Sequence, residues 1–263
     1  MDRSETAAHF DSRAAAYARD DWHVRYAERL VELAGLVPTS RVLDAATGTG
    51  FAAMAAARAV GPTGEVVAVD ISAGMLAQAE RLGSGVDNIG YVVADVSRLD
   101  DFADASFDAV ICSAGMLYLP VERVLPVWHR LLRPGGLIGF SAMRAGFPVL
   151  ARVFRACAAE FGVDLADPMA ELGTEQRCME ALARAGFTGV RVVAESVTLP
   201  RTDEATLWQL HSRSPHYPEL RTLGLGALTS LEARFVSEAR RIVTRDAATS
   251  LTAPVLYAFG HRP

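Results

Sequence analysis

Lysine is missing from this chain. Lys and Arg together number 26 among 263 residues, and every one of them is arginine. That excludes chemistry built on a lysine amine: a pyridoxal Schiff base, a Walker A lysine, or a Tyr-x-x-x-Lys reductase pair. Cysteine is scarce. Cys112, Cys157 and Cys178 are widely spaced and odd in number, which argues against a metal-ligand set and against a disulfide framework. Positive charge is not in excess either. Asp and Glu number 31 and the net charge is −5; with no clustered basic face, a nucleic-acid partner is disfavoured. No apolar run approaches the ~20 residues of a membrane helix. The N-terminal MDRSETAAHFDSR is charged and lacks an apolar signal core. These absences predict a cytoplasmic chain with no membrane association and no metal.

What is present is an apolar fraction of 51%, ample for a packed core. Residues 1–40 read as a helical cap, because the apolar positions of 22–36 recur near the helical period until Gly35 and Pro38 stop them. Short apolar runs then alternate with helical segments. Strands are predicted at 41–46, 65–70, 89–95, 107–113, 137–143, 190–199 and 254–260, with helices at 50–60, 72–82, 122–132, 147–161, 174–185, 203–212 and 225–245. Strands separated by helices imply βαβ crossovers and ligands at the strand C-terminal ends. The expected fold is therefore α/β and Rossmann-like. It is a mostly parallel seven-stranded sheet with helices on both faces and an added helical lid from insertions at about 147–170 and 203–250. The main domain is expected over 41–263.

Asp44-Ala45-Ala46-Thr47-Gly48-Thr49-Gly50 lies where the first strand turns into a helix. Glycines there let backbone approach a ligand, and the helix N-terminus offers free N–H groups. The segment Gly48–Ala53 also fits G-x-G-x-x-A, with Asp70 about 20 residues on, so an NAD-dependent dehydrogenase is a rival reading. Asp44 favours another ligand. A carboxylate at the mouth of the loop repels a pyrophosphate and suits an ammonium group. Asp44, Asp70 and Asp95 end three successive strands and are expected to form one acidic row beside the loop.

Four segments, in order and correctly spaced, resemble the motifs of the seven-stranded (class I) S-adenosylmethionine-dependent methyltransferases: VLDAATGTGFAA (42–53), VVAVDIS (66–72), ADVSRLDDFADASFDAVICSAGMLYLP (94–120) and LLRPGGLIGFSAM (131–143). They are most similar to the ubiquinone/menaquinone-type and natural-product small-molecule subgroup. The resemblance implies S-adenosylmethionine as cofactor and S-adenosylhomocysteine as product. It implies that Asp44, Ala46, Thr47, Gly48 and Gly50 surround the methionine part. Asp70 would hold the ribose, Ile71 and Met75 would lie against adenine, and Asp95 and Val96 would read its edge. Ser113 would lie near the sulfonium, and Tyr17 would close over the cofactor. The family often has glycine where this chain has Ala46. On the same fold a cyclase or rearrangement enzyme is an alternative.

The nucleobase-type Asn/Asp-Pro-Pro-Tyr/Phe motif is absent, since the chain reads Cys112-Ser113-Ala114-Gly115-Met116. Where many relatives place a histidine, it has Leu117 and Tyr118. The expected partner is a small-molecule methyl acceptor, methylated on oxygen, nitrogen or carbon by a monomer or homodimer. Candidate acceptor contacts are Tyr118, Met143, Phe147, Trp208 and Tyr217, with His216 beside the last. His211, on one helix face with Trp208 at i,i+3, is the first candidate for a general base because unperturbed imidazole titrates near pH 6.5. His23 beside Trp22 is the second.

Overall fold

A computed structural model describes residues 3–17 and 21–263. Met1, Asp2 and residues 18–20, all within the expected N-terminal cap, lie outside the described residues. The helices are α1 (Arg3–Tyr17), α2 (Asp21–Ala34), α3 (Phe51–Val60), α4 (Ala73–Leu82), α5 (Val121–Leu131), α6 (Val149–Glu160), α7 (Glu175–Arg184), α8 (Glu204–Ser212), α9 (Leu225–Arg245) and the short α10 (Ala247–Ser250). The strands are β1 (Arg41–Ala45), β2 (Glu65–Asp70), β3 (Ile89–Val93), β4 (Phe107–Cys112), β5 (Leu132–Met143), β6 (Thr188–Thr198) and β7 (Thr252–His261).

The strands form one seven-stranded sheet in the order β3-β2-β1-β4-β5-β7-β6. β1 pairs in parallel with β2 and β4, β2 with β3, and β4 with β5. β7 runs antiparallel to β5: Arg262 N donates to Gly136 O at 2.9 Å at one end, and Arg144 N donates to Pro254 O at 3.0 Å at the other. The central strands are buried almost throughout, which explains their continuous Val/Ile/Ala/Leu runs. The chain order reverses between β1 and β4, and the strand ends there open the crevice in which α/β sheets bind ligands.

β5 starts at Leu132, not at 137 as the sequence predicts. Leu132 pairs with Phe107, and Gly135 N donates to Arg262 O at 2.8 Å, so Pro134-Gly135-Gly136 is an irregular strand segment and not a free turn.

The chain divides into two compact units. One comprises residues up to Ala142, Glu175–Ala194 and Leu256–Pro263; the other comprises Met143–Thr174 and Glu195–Val255. The first contains α1 to α5 and most of the sheet. Trp128, fully buried on α5, ties that helix to the loop after β3 by donating its indole N–H to Val96 O at 3.0 Å. The second unit has its own apolar cluster, built around Leu150, Phe154, Leu231 and Phe235. The expected lid segments 147–170 and 203–250 fall in this unit, whereas the N-terminal helices group with the sheet. Cys112, Cys157 and Cys178 are buried and outside any disulfide. Among the described residues no helix is long and apolar enough to cross a membrane, and no group of His, Cys, Asp and Glu could hold a metal ion.

Candidate functional site

β1 ends at Ala45, and the backbone turns sharply through Ala46 (φ 56°), Gly48 (φ 56°) and Gly50 (φ 81°) into α3. Gly50 is required twice over, because its φ is left-handed and a Cβ there would stand 2.9 Å from Ala79 Cβ. Its position before α3 leaves that helix N-terminus without a side-chain cap.

Asp70 at the end of β2 holds this loop. Its Oδ2 accepts from Gly48 N at 2.8 Å, and its Oδ1 accepts from Ser72 N at 2.9 Å. Burial pushes its carboxyl pKa up, with the two amides pulling the other way. Asp44 is fully buried. Its Oδ2 accepts the Thr47 hydroxyl at 2.5 Å, while Oδ1 has no partner among the described residues. Burial raises its pKa to about 7 against the pull of that hydroxyl, and Asp70 adds to the rise. Thr49 Oγ1 is likewise buried without a partner.

Beside the loop lies a cavity of about 630 Å³, within the range of small-molecule sites. Every residue of its wall belongs to the sheet-bearing unit. Of the residues singled out from the sequence, it brings together Tyr17, Ala46, Thr47, Gly48, Asp70, Ile71, Met75, Asp95, Val96, Ser113 and Tyr118. Asp95 Oδ1 accepts from the Ser97 amide and hydroxyl at 2.8 and 2.7 Å, which fixes the turn after β3.

Asp44 and Gly50 are absent from the wall. The expected acidic row is thus corrected. Asp70 and Asp95 face the cavity, but Asp44 is sealed behind the loop, since β1 is central in the sheet and α3 begins directly after the turn.

The remaining expectations are corrected further. Met143, Phe147, Trp208, His211 and Tyr217 belong to the second unit and do not line this cavity. His211 stacks on Phe154 with centroids 5.2 Å apart and meets Phe235 edge-on at 5.8 Å. Burial, then the Arg155 charge, lowers its pKa to about 4, so the expectation of a base near neutrality does not hold. Trp208 and Tyr217 pack on the same Phe154 ring. A smaller depression of about 480 Å³ in that unit includes Trp208 and Tyr217.

From the N-terminal helices, sequence reasoning named Tyr17 and His23 but missed Thr6, Phe10 and Ala27. Thr6 and Phe10 from α1, and His23 and Ala27 from α2, line the cavity. Phe10 meets Tyr118 edge-on at 4.9 Å, and Tyr17 lies over His23 at 4.1 Å. Asp11 pins α1 in place: its Oδ1 accepts from Ser72 Oγ at 2.5 Å and from Gly74 N at 2.8 Å. The only available signal was the pairing of an acid on α1 with the Ser-x-Gly start of α4, which local periodicity does not reveal.

Residues 42–136 match the family model described as a methyltransferase domain. The chain is 40% identical over 129 residues to the ubiquinone/menaquinone biosynthesis C-methyltransferase UbiE of Ectopseudomonas mendocina, a match covering 47% of this chain and 50% of that one. It is 34% identical over 117 residues to the demethylmenaquinone methyltransferase of Staphylococcus aureus, covering 44% and 48% respectively. The matches thus span about half the length of these relatives. The fold is shared with geranyl diphosphate C-methyltransferase from Streptomyces coelicolor, solved with Mg2+, geranyl diphosphate and S-adenosyl-L-homocysteine. There the TM-score is 0.52 at 18% identity, over 90% of this chain and 78% of the other. Residues 42–136 thus carry a methyltransferase domain, and the chain's sequence similarity runs to ubiquinone/menaquinone-type methyltransferases.

Proposed function

We propose that this chain transfers a methyl group from S-adenosylmethionine to a small molecule with a planar apolar body, of the hydroquinone type suggested by its relatives' names, with carbon as the methylated atom. One observation carries the reading. A single cavity has the carboxylates of Asp70 and Asp95 on the β2–β3 side and the aromatic rings of Phe10, Tyr17 and Tyr118 in the same wall.

The donor set suits the cofactor. The uncapped start of α3 suits the carboxylate of a methionine moiety, and Asp44, buried behind the loop, sets a negative field beneath its ammonium. Asp70 is placed to accept ribose hydroxyls and Asp95 an adenine amine, with Ile71, Met75 and Val96 packing on the ring. Gly48, Thr47 and Ala46 bring backbone close to the methionine part, Gly50 supports the turn from behind, and Ser113 faces its sulfur end. The bound cofactor supplies a methyl group already activated by a sulfonium.

The chain's task is then proximity, alignment and exclusion of water. α1, pinned by Asp11, contributes Phe10 and Tyr17 to the cavity wall, and Phe10 packs against Tyr118. Calorimetric titration with S-adenosylhomocysteine and, separately, NAD tests the reading, followed by release of S-adenosylhomocysteine with reduced 1,4-naphthoquinone as acceptor. We expect the homocysteine compound to bind and NAD not to; NAD binding alone overturns the assignment.

A further inference from the structure

We propose that His23 is the residue that takes the acceptor's proton. The proposal rests on the S-adenosylmethionine reading above and concerns the end of the cavity where the methyl group would be presented. His23 and Ala27 lie one turn apart on α2, and both face the cavity. Between them Tyr26 is buried, its hydroxyl hydrogen-bonded to the Ser141 side chain on β5 and close to Cys112 on β4. Ser141 Oγ in turn accepts from the Ala114 amide at 3.0 Å. α2 therefore crosses the C-terminal ends of β4 and β5. In strand order these lie on the opposite side of β1 from β2 and β3, which carry the adenosine-facing carboxylates. His23 thus stands at the Ser113–Ala114 end.

The imidazole is also held. Its centroid is 4.1 Å from that of Tyr17 and 3.7 Å from that of Trp22. Of the six histidines in the chain, His23 is the one in the cavity wall. Among the described residues, the other ionisable groups facing it or the cavity are Tyr17 on α1, Tyr26 on its own helix, Asp70, Asp95, Tyr118, Arg98 and Arg123. The carboxylates are committed to the adenosine, arginine keeps its charge, and phenols as a class hold their proton at neutral pH. Imidazole alone exchanges a proton there. In the step, the acceptor's O–H gives up its proton, the freed pair drives a ring π pair onto the methyl carbon to form the new C–C bond, and the ring C–H proton shifts to oxygen to restore the aromatic ring. The methyl–sulfur bond breaks with its pair left on sulfur, and the released proton passes to the imidazole nitrogen, then to solvent.

A histidine at that end of the cavity would sense the charge on the methyl-bearing sulfur. S-adenosylmethionine carries a positive sulfonium; S-adenosylhomocysteine has a neutral thioether and is otherwise alike. Calorimetry with both compounds from pH 8 to pH 5.5 should show the ratio Kd(S-adenosylmethionine)/Kd(S-adenosylhomocysteine) rising about threefold. That is the factor for two unit charges about 7 Å apart, with methyl and acceptor between them, at the dielectric of water. The ammonium common to both compounds cancels in this ratio, and the His23 variants separate the imidazole's contribution from that of the carboxylates, which are unchanged in them. H23Q and H23N should flatten it with S-adenosylhomocysteine affinity changed by less than about threefold. A ratio flat in the wild type, or equally pH-dependent in both variants, overturns the placement. With reduced 1,4-naphthoquinone as acceptor, H23Q should lower kcat about 10²-fold and remove the acid limb of its pH profile; an unchanged kcat overturns the proton-acceptor role. Failure of either compound to bind the wild type at pH 8 overturns the cofactor reading itself, and this proposal with it.

Discussion

Replacing Asp44 with asparagine should stabilise the empty protein and weaken cofactor binding at once. Asp44 is fully buried and its pKa rises from 3.8 to about 7. The native state therefore binds a proton that the unfolded chain has released across that window. Stability is lost as pH climbs from 3.8 through about 7, at about 1.4 kcal/mol per unit, or about 4 kcal/mol in all. About 3 kcal/mol of this falls between pH 5 and pH 8. D44N still accepts the Thr47 hydroxyl but never ionises. The difference in stability, variant minus wild type, should thus grow by about 3 kcal/mol from pH 5 to pH 8, roughly 6–12 °C in Tm. Thermal melts of the ligand-free proteins at the two pH values check this. In the same variant the ammonium of S-adenosylhomocysteine loses the field of the charge behind the loop, and calorimetry should show affinity falling about fivefold. A Tm difference independent of pH, or unchanged affinity, would refute the reasoning that this buried carboxylate favours a cation in the cavity.

Other substitutions probe the neighbouring supports. D70N leaves one of the Gly48 and Ser72 amides without its acceptor; it should cost about 1–3 kcal/mol in urea unfolding and weaken S-adenosylhomocysteine binding about 50-fold or more. G50A places a methyl 2.9 Å from Ala79 Cβ at a left-handed φ, and the unfolding midpoint should report a loss of about 2–4 kcal/mol. D11N weakens the bonds from Ser72 Oγ and Gly74 N; hydrogen exchange in α1 should accelerate about tenfold, with faster cofactor dissociation in stopped flow. H211Q should leave the pH profile of methyl transfer unchanged, because its ring packs in the Phe154–Phe235 cluster.

The sheet was legible because buried parallel strands must be continuously apolar and their helices must start and stop on caps and glycines. The start of β5 was not, because hydrogen bonds to Arg262, far away in sequence, recruit Pro134–Gly136 into the strand. Asp70 and Asp95 could be read from their positions at strand ends. The sealing of Asp44 could not, since it depends on how α3 leaves the loop. The pairing of Trp208 with His211 correctly put them on one helix face, but which face is buried is decided by Phe154 and Phe235. Phe10 was invisible as a wall residue, because Asp11 reaches over 60 positions along the chain to Ser72 and Gly74.

Four of the features that local rules disfavour lie close together in the fold. Asp44 Oδ1 and Thr49 Oγ1 are buried without partners, and Ala46 and Ala114 hold left-handed φ values of 56° without being glycine. All four residues lie at or just beyond the ends of β1 and β4, where the strand order reverses. Each is unfavourable in an empty protein, by roughly 1–3 kcal/mol. A ligand that brings a cation near Asp44 and a polar contact to Thr49 would offset part of these costs and has no counterpart in the unfolded chain, so its binding would add directly to stability.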